Sequence, residues 1–521
     1  MMRAWVAATL LAAGLQLPAS AADLVIALGA EVTSVDPHVL NAAPNNSVGE
    51  QVFDTLVRRD ARQRFTPGLA ESWRAVDDTT WEFKLRRGVK FHDGSELTAE
   101  DVAFSIDRPA TLKGVPGGFT VFTRPITQKV IVDPHTIQLK TATPYPNMPS
   151  DMASIVIVSK RAAQNATSAD FDAGKAAVGS GPYKLVRFVK GDRIELARHE
   201  GYWGPKPAWD RVLFRLITND AARIAALLAG DAHLIEVIPP TDYAKLRTNN
   251  ALNIFTTASN RMIFFHLDSD RDKTPFAFDK SGKPLDKNPF KDARVRKAFS
   301  KAINRQAIVE RVMEGLAIPA GQFVPEGFFG YSSNLRAEPY DPDGAKKLLA
   351  EAGYPDGFAL TLHGPNNRYV NDEQVVQAVA QMLSRVGIAT KVEVLPFSIY
   401  VSRARKFDFT AALLGWGVST GEASYPLRSL VASFDAAKGT GPWNWSRYSN
   451  PKMDQLLEQA LATVDNANRE RLLREATELV INDQAVVPLH YQVNTWASRK
   501  GYAYTPRTDE RTYAHEVKPA Q

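Results

Sequence analysis

Strand-period and helix-period segments follow one another along this chain, and that succession limits the folds open to it. In TWEFKLRRGVKF, Trp81, Phe83 and Leu85 fall on one face and Glu82, Lys84 and Arg86 on the other, the pattern of a half-buried strand. His92-Asp93-Gly94 then turns the chain, and Thr98 with Asp101 three residues later predicts a helix opening on a capping box. In DARVRKAFSKAIN, Val295, Ala298, Phe299, Ala302 and Ile303 share one helical face. Asp341 and Pro342 open another helix, which Gly353 ends; Asn450 and Pro451 open a third, striped by Met453, Leu456, Leu457, Ala460 and Leu461. Strands and helices in mixed order give an α/β class, and 521 residues are too many for one core, so two or three domains are expected.

The N-terminus reads as a secretory signal peptide. Arg3 precedes the apolar run AWVAATLLAAGLQL, and Ala19 and Ala21 supply small residues before a cleavage point between Ala21 and Ala22. A membrane anchor is the alternative, opposed by the polar chain that starts at Asp23. There is no cysteine, so disulfides, thiolate metal sites and a lipid-anchored cysteine are all excluded. A released periplasmic protein fits best. Hydrophobic residues at 44% and charged ones at 23% describe an ordinary globular chain. The net charge of +6 is scattered, without a Lys/Arg block, which makes nucleic acid a poor partner.

Catalytic chemistry is not signposted. The nine histidines show no metal-ligand spacing, and neither a Gly-x-Ser-x-Gly elbow nor a phosphate loop occurs. His92-Asp93 reads as a turn with a local hydrogen-bonder rather than a dyad, and Asp36-Pro37-His38 as a turn rather than a metal ligand. The apolar stretch FDFTAALL reads as a buried strand running into Gly415-Trp416-Gly417, with Glu422 a lone carboxylate just beyond.

Several segments resemble the peptide/nickel class of periplasmic solute-binding proteins that serve ABC transporters. They are LAESWRAVDDTTWEFKLRRGVKFHDGSELTAEDVAFSI, GSGPYKLVRFVKGDRIELARHEGYWGPKPAWDRVLFRLI, NPFKDARVRKAFSKAINR, YDPDGAKKLLAEAGYPDGF, RYSNPKMDQLLEQA and VVPLHYQVNTW. Together and in order they cover nearly all of the chain after the signal. The resemblance implies an α/β, two-lobed periplasmic binding protein fold with a hinge and an extra domain. Its expected segments are a signal peptide at 1–21, a discontinuous lobe I at 22–60, 178–260 and 486–521, an extra domain at 61–177, and lobe II at 261–485. Ligand would be enclosed between the lobes.

The same resemblance implies site residues. In oligopeptide- and dipeptide-binding relatives a Gly-Trp at the position of Trp416 and Gly417 lines the cleft, and an Asp three residues after the Trp holds the peptide's amino group. Here that position is Ser419, and STGEA looks more like the glutathione-binding branch. Glu422 is the nearest remaining carboxylate and the expected amine partner; its alternative is a surface or helix-start residue. Asn41, Ala42 and Ala43 align with a cleft-lining stretch of lobe I. Arg368 sits where dipeptide-binding relatives hold a ligand carboxylate, the alternatives being a solvated loop charge or an interlobe ion pair. For Trp416 the alternative is a packed core tryptophan. The expected protein is a monomeric, cofactor-free substrate-binding component of a peptide-type ABC importer, partnered by an inner-membrane permease. A non-peptide solute (opine, sugar conjugate or metal chelate) is the alternative within the fold, and an exported hydrolase the alternative outside it.

Overall fold

The structure, a computed structural model, describes residues 23–112 and 119–520. The expected signal peptide and its cleavage point lie outside the described residues.

One sheet runs through both lobes. Its order is Tyr183–Val189, Arg193–Arg198, Arg211–Leu216, Asp23–Leu28, Leu234–Glu236, Val487–Arg499, Leu252–Leu267, Ala411–Gly417, Phe358–Pro365 and Ala277–Phe278. Ala317–Pro319 adds to Val487–Arg499, and Ile388–Leu395 to Phe358–Pro365. The two longest strands, Leu252–Leu267 and Val487–Arg499, pair antiparallel and pass from one lobe to the other. Their register is regular from Leu252↔Arg499 to Ala258↔Val493, and resumes at Met262↔Tyr491. Ser259, Asn260 and Arg261 therefore sit where the ladder is interrupted. A gap in a ladder is where two halves of a sheet can rotate with few hydrogen bonds lost.

Beyond this hinge the strands are buried on both faces. Met262 and Phe264 join one core with Ala412 and Leu414, while Ile263, Phe265 and Leu267 join the other with Ala411 and Leu413. That is the period of two expected of a strand covered by helices on both sides. Lobe I is built likewise around Leu24, Ile26, Phe214 and Trp496.

The extra domain is a four-stranded antiparallel sheet, Ala70–Asp77, Thr80–Leu85, Thr136–Thr141 and Ile126–Asp133 in that sequence. The helix Ala99–Thr111 opens on the expected Thr98/Asp101 capping box. A charged device fixes this domain to lobe I. Arg108, within the helix, donates to both oxygens of Asp36 at 2.7 and 2.6 Å, and both side chains are almost fully buried. Asp36 and His38 thus serve packing between domains. His92 is not the local hydrogen-bonder expected: it bonds to the backbone of Gly179 and Gly181, nearly ninety residues further on. The helices Ala293–Lys301, Pro342–Glu351 and Pro451–Leu461 form as expected, capped by Asp292, Asp341 and Asn450. One boundary differs from expectation: FDFT is not strand. Phe407 takes a left-handed φ of 58°, and the strand starts at Ala411 and runs through Gly417.

Candidate functional site

The two glycines flanking Trp416 have separate causes. Gly415, Trp416 and Gly417 pair with Ile263, Met262 and Arg261, so they lie directly beside the hinge. A Cβ on Gly415 would come within 2.6 Å of the Tyr369 ring and of Ile263. A Cβ on Gly417 would stand 3.2 Å from the Arg261 guanidinium. The strand is thus bare where a tyrosine and an arginine cross it. Gly415→Ala is expected to cost about 1–3 kcal/mol by overpacking, read by denaturant unfolding. Gly417→Ala is expected to cost less, because a flexible guanidinium can give way.

Trp416 is half-buried. Its ring lies 5.2 Å from Tyr425 and 5.5 Å from Trp443, centroid to centroid, and Arg405 covers Trp443 in turn. Its indole N–H has no partner among the described residues. A buried donor left unmatched costs stability, and the ring itself packs against the lobe II core. Ser419 hydrogen-bonds the Tyr425 phenol on the same wall.

Charge enters beside this wall. Arg261 donates from Nε and Nη2 to the two oxygens of Glu510, both at 2.8 Å, and Glu510 also accepts from Ser259. Burial alone would raise the Glu510 carboxyl, but the Arg261 guanidinium outweighs it and holds the group below the ordinary range. Glu510 adopts a φ of 63°, in the left-handed region that a non-glycine residue takes at a cost. The C-terminal segment accepts that strain while clamping the interrupted hinge.

Arg368 lies against the same ring. Arg261 and Arg368 place their guanidinium carbons 5.9 and 5.3 Å from the Tyr369 centroid. Arg368 makes no ion pair among the described residues; the residue as a whole is exposed, but its guanidinium lies against the Tyr369 and Phe397 rings. Burial first, and then Arg261, depress its basicity. The nearby Asp372 is occupied by the backbone N–H groups of Arg368 and Tyr369, at 2.9 and 3.0 Å. Two guanidiniums therefore share one paired carboxylate. The Arg368 guanidinium thus keeps a planar fork without an ion-pair partner, and such a fork suits a carboxylate.

The other expected residues are placed differently. Glu422 is buried, and its carboxylate accepts hydrogen bonds from Arg469 and Ser424, so its charge is balanced within the protein. It is not on the surface, but it immediately precedes the N-cap Ala423 of the helix Ser424–Pro426, so the helix-start alternative fits its place. Asn41, Ala42 and Ala43 form the entry to the helix Ala43–Val52 in lobe I, where Asn41 accepts from Asn46. No hydrogen bond, ion pair or ring contact among the described residues joins them to Trp416 or Arg368. Sequence reasoning missed Arg261, Tyr369, Tyr425, Trp443 and Glu510. Only Arg261 left a signal, as a charge at the head of the apolar run MIFFHL. Among the described residues no metal-ligating cluster occurs, and no helix is long and apolar enough to cross a membrane.

Comparison with known proteins identifies the family and the fold. A family profile described as "Bacterial extracellular solute-binding proteins, family 5 Middle" matches residues 64–438. The glutathione-binding protein GsiB of Salmonella choleraesuis is 29% identical over 496 residues, covering 93% of this chain and 92% of the relative. The solved ABC transporter substrate-binding protein CtaP of Listeria monocytogenes shares the fold with a TM-score of 0.81 at 22% identity, over 96% of this chain and 100% of that one. The periplasmic binding protein DppA of Helicobacter pylori, in complex with the peptide STSA, gives 0.76 at 24% identity, over 96% and 98%. The chain belongs to family 5 of the bacterial extracellular solute-binding proteins, the solute-capturing components of ABC importers.

Proposed function

We propose that this protein captures a peptide or peptide-like solute bearing a free carboxylate, in the periplasm and as a monomer, and delivers it without chemical change to an inner-membrane ABC permease. The carrying observation is Arg368, a guanidinium with no ion-pair partner among the described residues, which shares the Tyr369 ring with the paired Arg261–Glu510. The ligand carboxylate supplies that partner. The Trp416, Tyr425 and Trp443 rings cover the body of the solute, and the Trp416 N–H donates to it. The names of the relatives support this class: one is a glutathione-binding protein, another holds a peptide. A ligand held on lobe II favours closure to the extent that it also touches lobe I, since only differential affinity shifts such a population.

Native mass spectrometry of protein purified from its host weighs whatever co-purifies. Calorimetric titration then takes glutathione, a set of di- and tetrapeptides, and the C-terminal amides of the same peptides. Free acids are expected to bind at least about tenfold more tightly than their amides, the value of one charge-assisted hydrogen bond. Equal binding of acids and amides, or turnover of any of them, overturns the reading.

A further inference from the structure

The ligand-bearing strand does not end in solvent after Gly417. It continues into Ser419–Glu422, and this segment touches the extra domain at two places and is joined to it at a third through Arg469. Arg469, on the lobe II helix Asn466–Asn482, donates to Glu422 of the segment and to Asn147 of the extra domain with the same Nη2. Ser150 of the extra domain reaches the Thr420 carbonyl at 3.5 Å. At Gly421, a Cβ would stand 3.5 Å from the Cβ of Gln63. Val464, between two lobe II helices, packs against the extra-domain core.

The participants are poorly exposed. Arg469 is 4% exposed and Glu422 5%. Arg469 also lies 5.1 Å from the Phe329 ring centroid, and Phe329 bridges Glu422 through the backbone. The extra domain is bound to lobe I through the buried Arg108–Asp36 pair. Contacts from lobe II to the extra domain are therefore contacts across the hinge, and opening breaks them.

We propose that Arg469, Glu422 and Asn147 form a latch across the hinge, and that the extra domain is thereby a third part of the ligand clamp. Asn147 and Arg469 are positioning residues. They hold the segment that follows Trp416 in its closed place and touch no ligand. A guanidinium shared between a carboxylate and an amide oxygen fixes a planar geometry that a single contact does not. The latch gives the closed form a stabilisation of its own, so ligand supplies only the remainder of the closing free energy.

The proposal rests on the two-lobed binding-protein reading, but its test uses no ligand, so its failure is separate from failure of the ligand assignment. Small-angle scattering compares ligand-free parent, Asn147→Ala and Arg469→Ala. Both variants are expected to show a radius of gyration about 1 Å larger than the parent, against about 23 Å for a compact chain of this length. Asn147→Asp keeps an acceptor and is expected to match the parent. Circular dichroism confirms that each variant is folded, and Asn147, only half-buried, keeps the test alive if Arg469→Ala fails to fold.

A second measurement exploits the cysteine-free chain. Gln63→Cys with Gly421→Cys sets two Cβ atoms 3.5 Å apart, within disulfide range, at the cost of a cysteine in the left-handed φ of 76° at Gly421. Oxidation of this pair is expected to be at least tenfold slower when Asn147→Ala is added. Unchanged radii together with an unchanged oxidation rate overturn the latch; larger radii or slower oxidation, reversed by Asn147→Asp, support it.

Discussion

Glu510→Gln is expected to lower the stability of the ligand-free protein by about 2–3 kcal/mol, seen as an earlier unfolding transition in denaturant or by calorimetry. Losing one partner of a fully buried ion pair costs about 3–5 kcal/mol. The lower figure applies because Arg261 and Glu510 retain 14% and 26% side-chain exposure. The substitution leaves two guanidiniums facing one tyrosine ring with no anion between them, and it loosens Ser259 at the interruption of the sheet. Sign matters here. Pairing depresses the Glu510 carboxyl, so its contribution is present at neutral pH and is lost as pH falls through the carboxylate range. Parent and variant should therefore converge in acid. An added carboxylate solute should also stabilise the variant, since it restores an anion to the same guanidiniums. Equal stability of parent and variant at pH 7 would show that the clamp contributes nothing to the hinge.

Much of this fold was legible in sequence because local rules and tertiary demands coincide. Thr98 and Asp101 form a capping box from their spacing alone, and the stripe from Val295 to Ile303 is fully buried where periodicity puts it. The strand at Trp81, Phe83 and Leu85 follows the same logic. FDFT misled because apolar residues at short range do not distinguish a strand from an irregular entry. Phe407 is turned left-handed, and Phe409 packs on Tyr400 and His363 instead of extending the strand.

The site was half legible. The oddity of Gly415-Trp416-Gly417 was visible, but its cause was not. The two intruding side chains come from residues 369 and 261, more than forty positions away, and no spacing rule reports that meeting. Glu422 shows the opposite limit. A lone carboxylate in a polar stretch reads as available, whereas its partner Arg469 stands 47 residues further on and fills that role. Glu510 could not be read at all, since a strained residue in a C-terminal tail has no periodic signature. Burial and pairing of charges are tertiary facts, and they decide which charged residues remain for a ligand.

Arg368 carries the sharpest separation between stability and binding. It has no carboxylate to lose, and both burial and Arg261 already disfavour its charge. Arg368→Gln is therefore expected to leave the unfolding transition of the ligand-free protein unchanged or slightly raised. Binding should behave otherwise. A desolvated, hydrogen-bonded charge pair at an interface costs about 2–5 kcal/mol when one side is truncated, so a free-acid peptide should bind at least about thirtyfold more weakly. Arg368→Lys keeps the charge but not the planar fork, and should fall between parent and Gln. The peptide's C-terminal amide completes a double-mutant cycle. The parent should prefer the acid, and Arg368→Gln should bind acid and amide alike, which isolates the pairwise interaction from general damage to the cleft. If Arg368→Gln still prefers the acid as strongly as the parent does, the ligand carboxylate is held elsewhere, and Arg261 becomes the residue to test next.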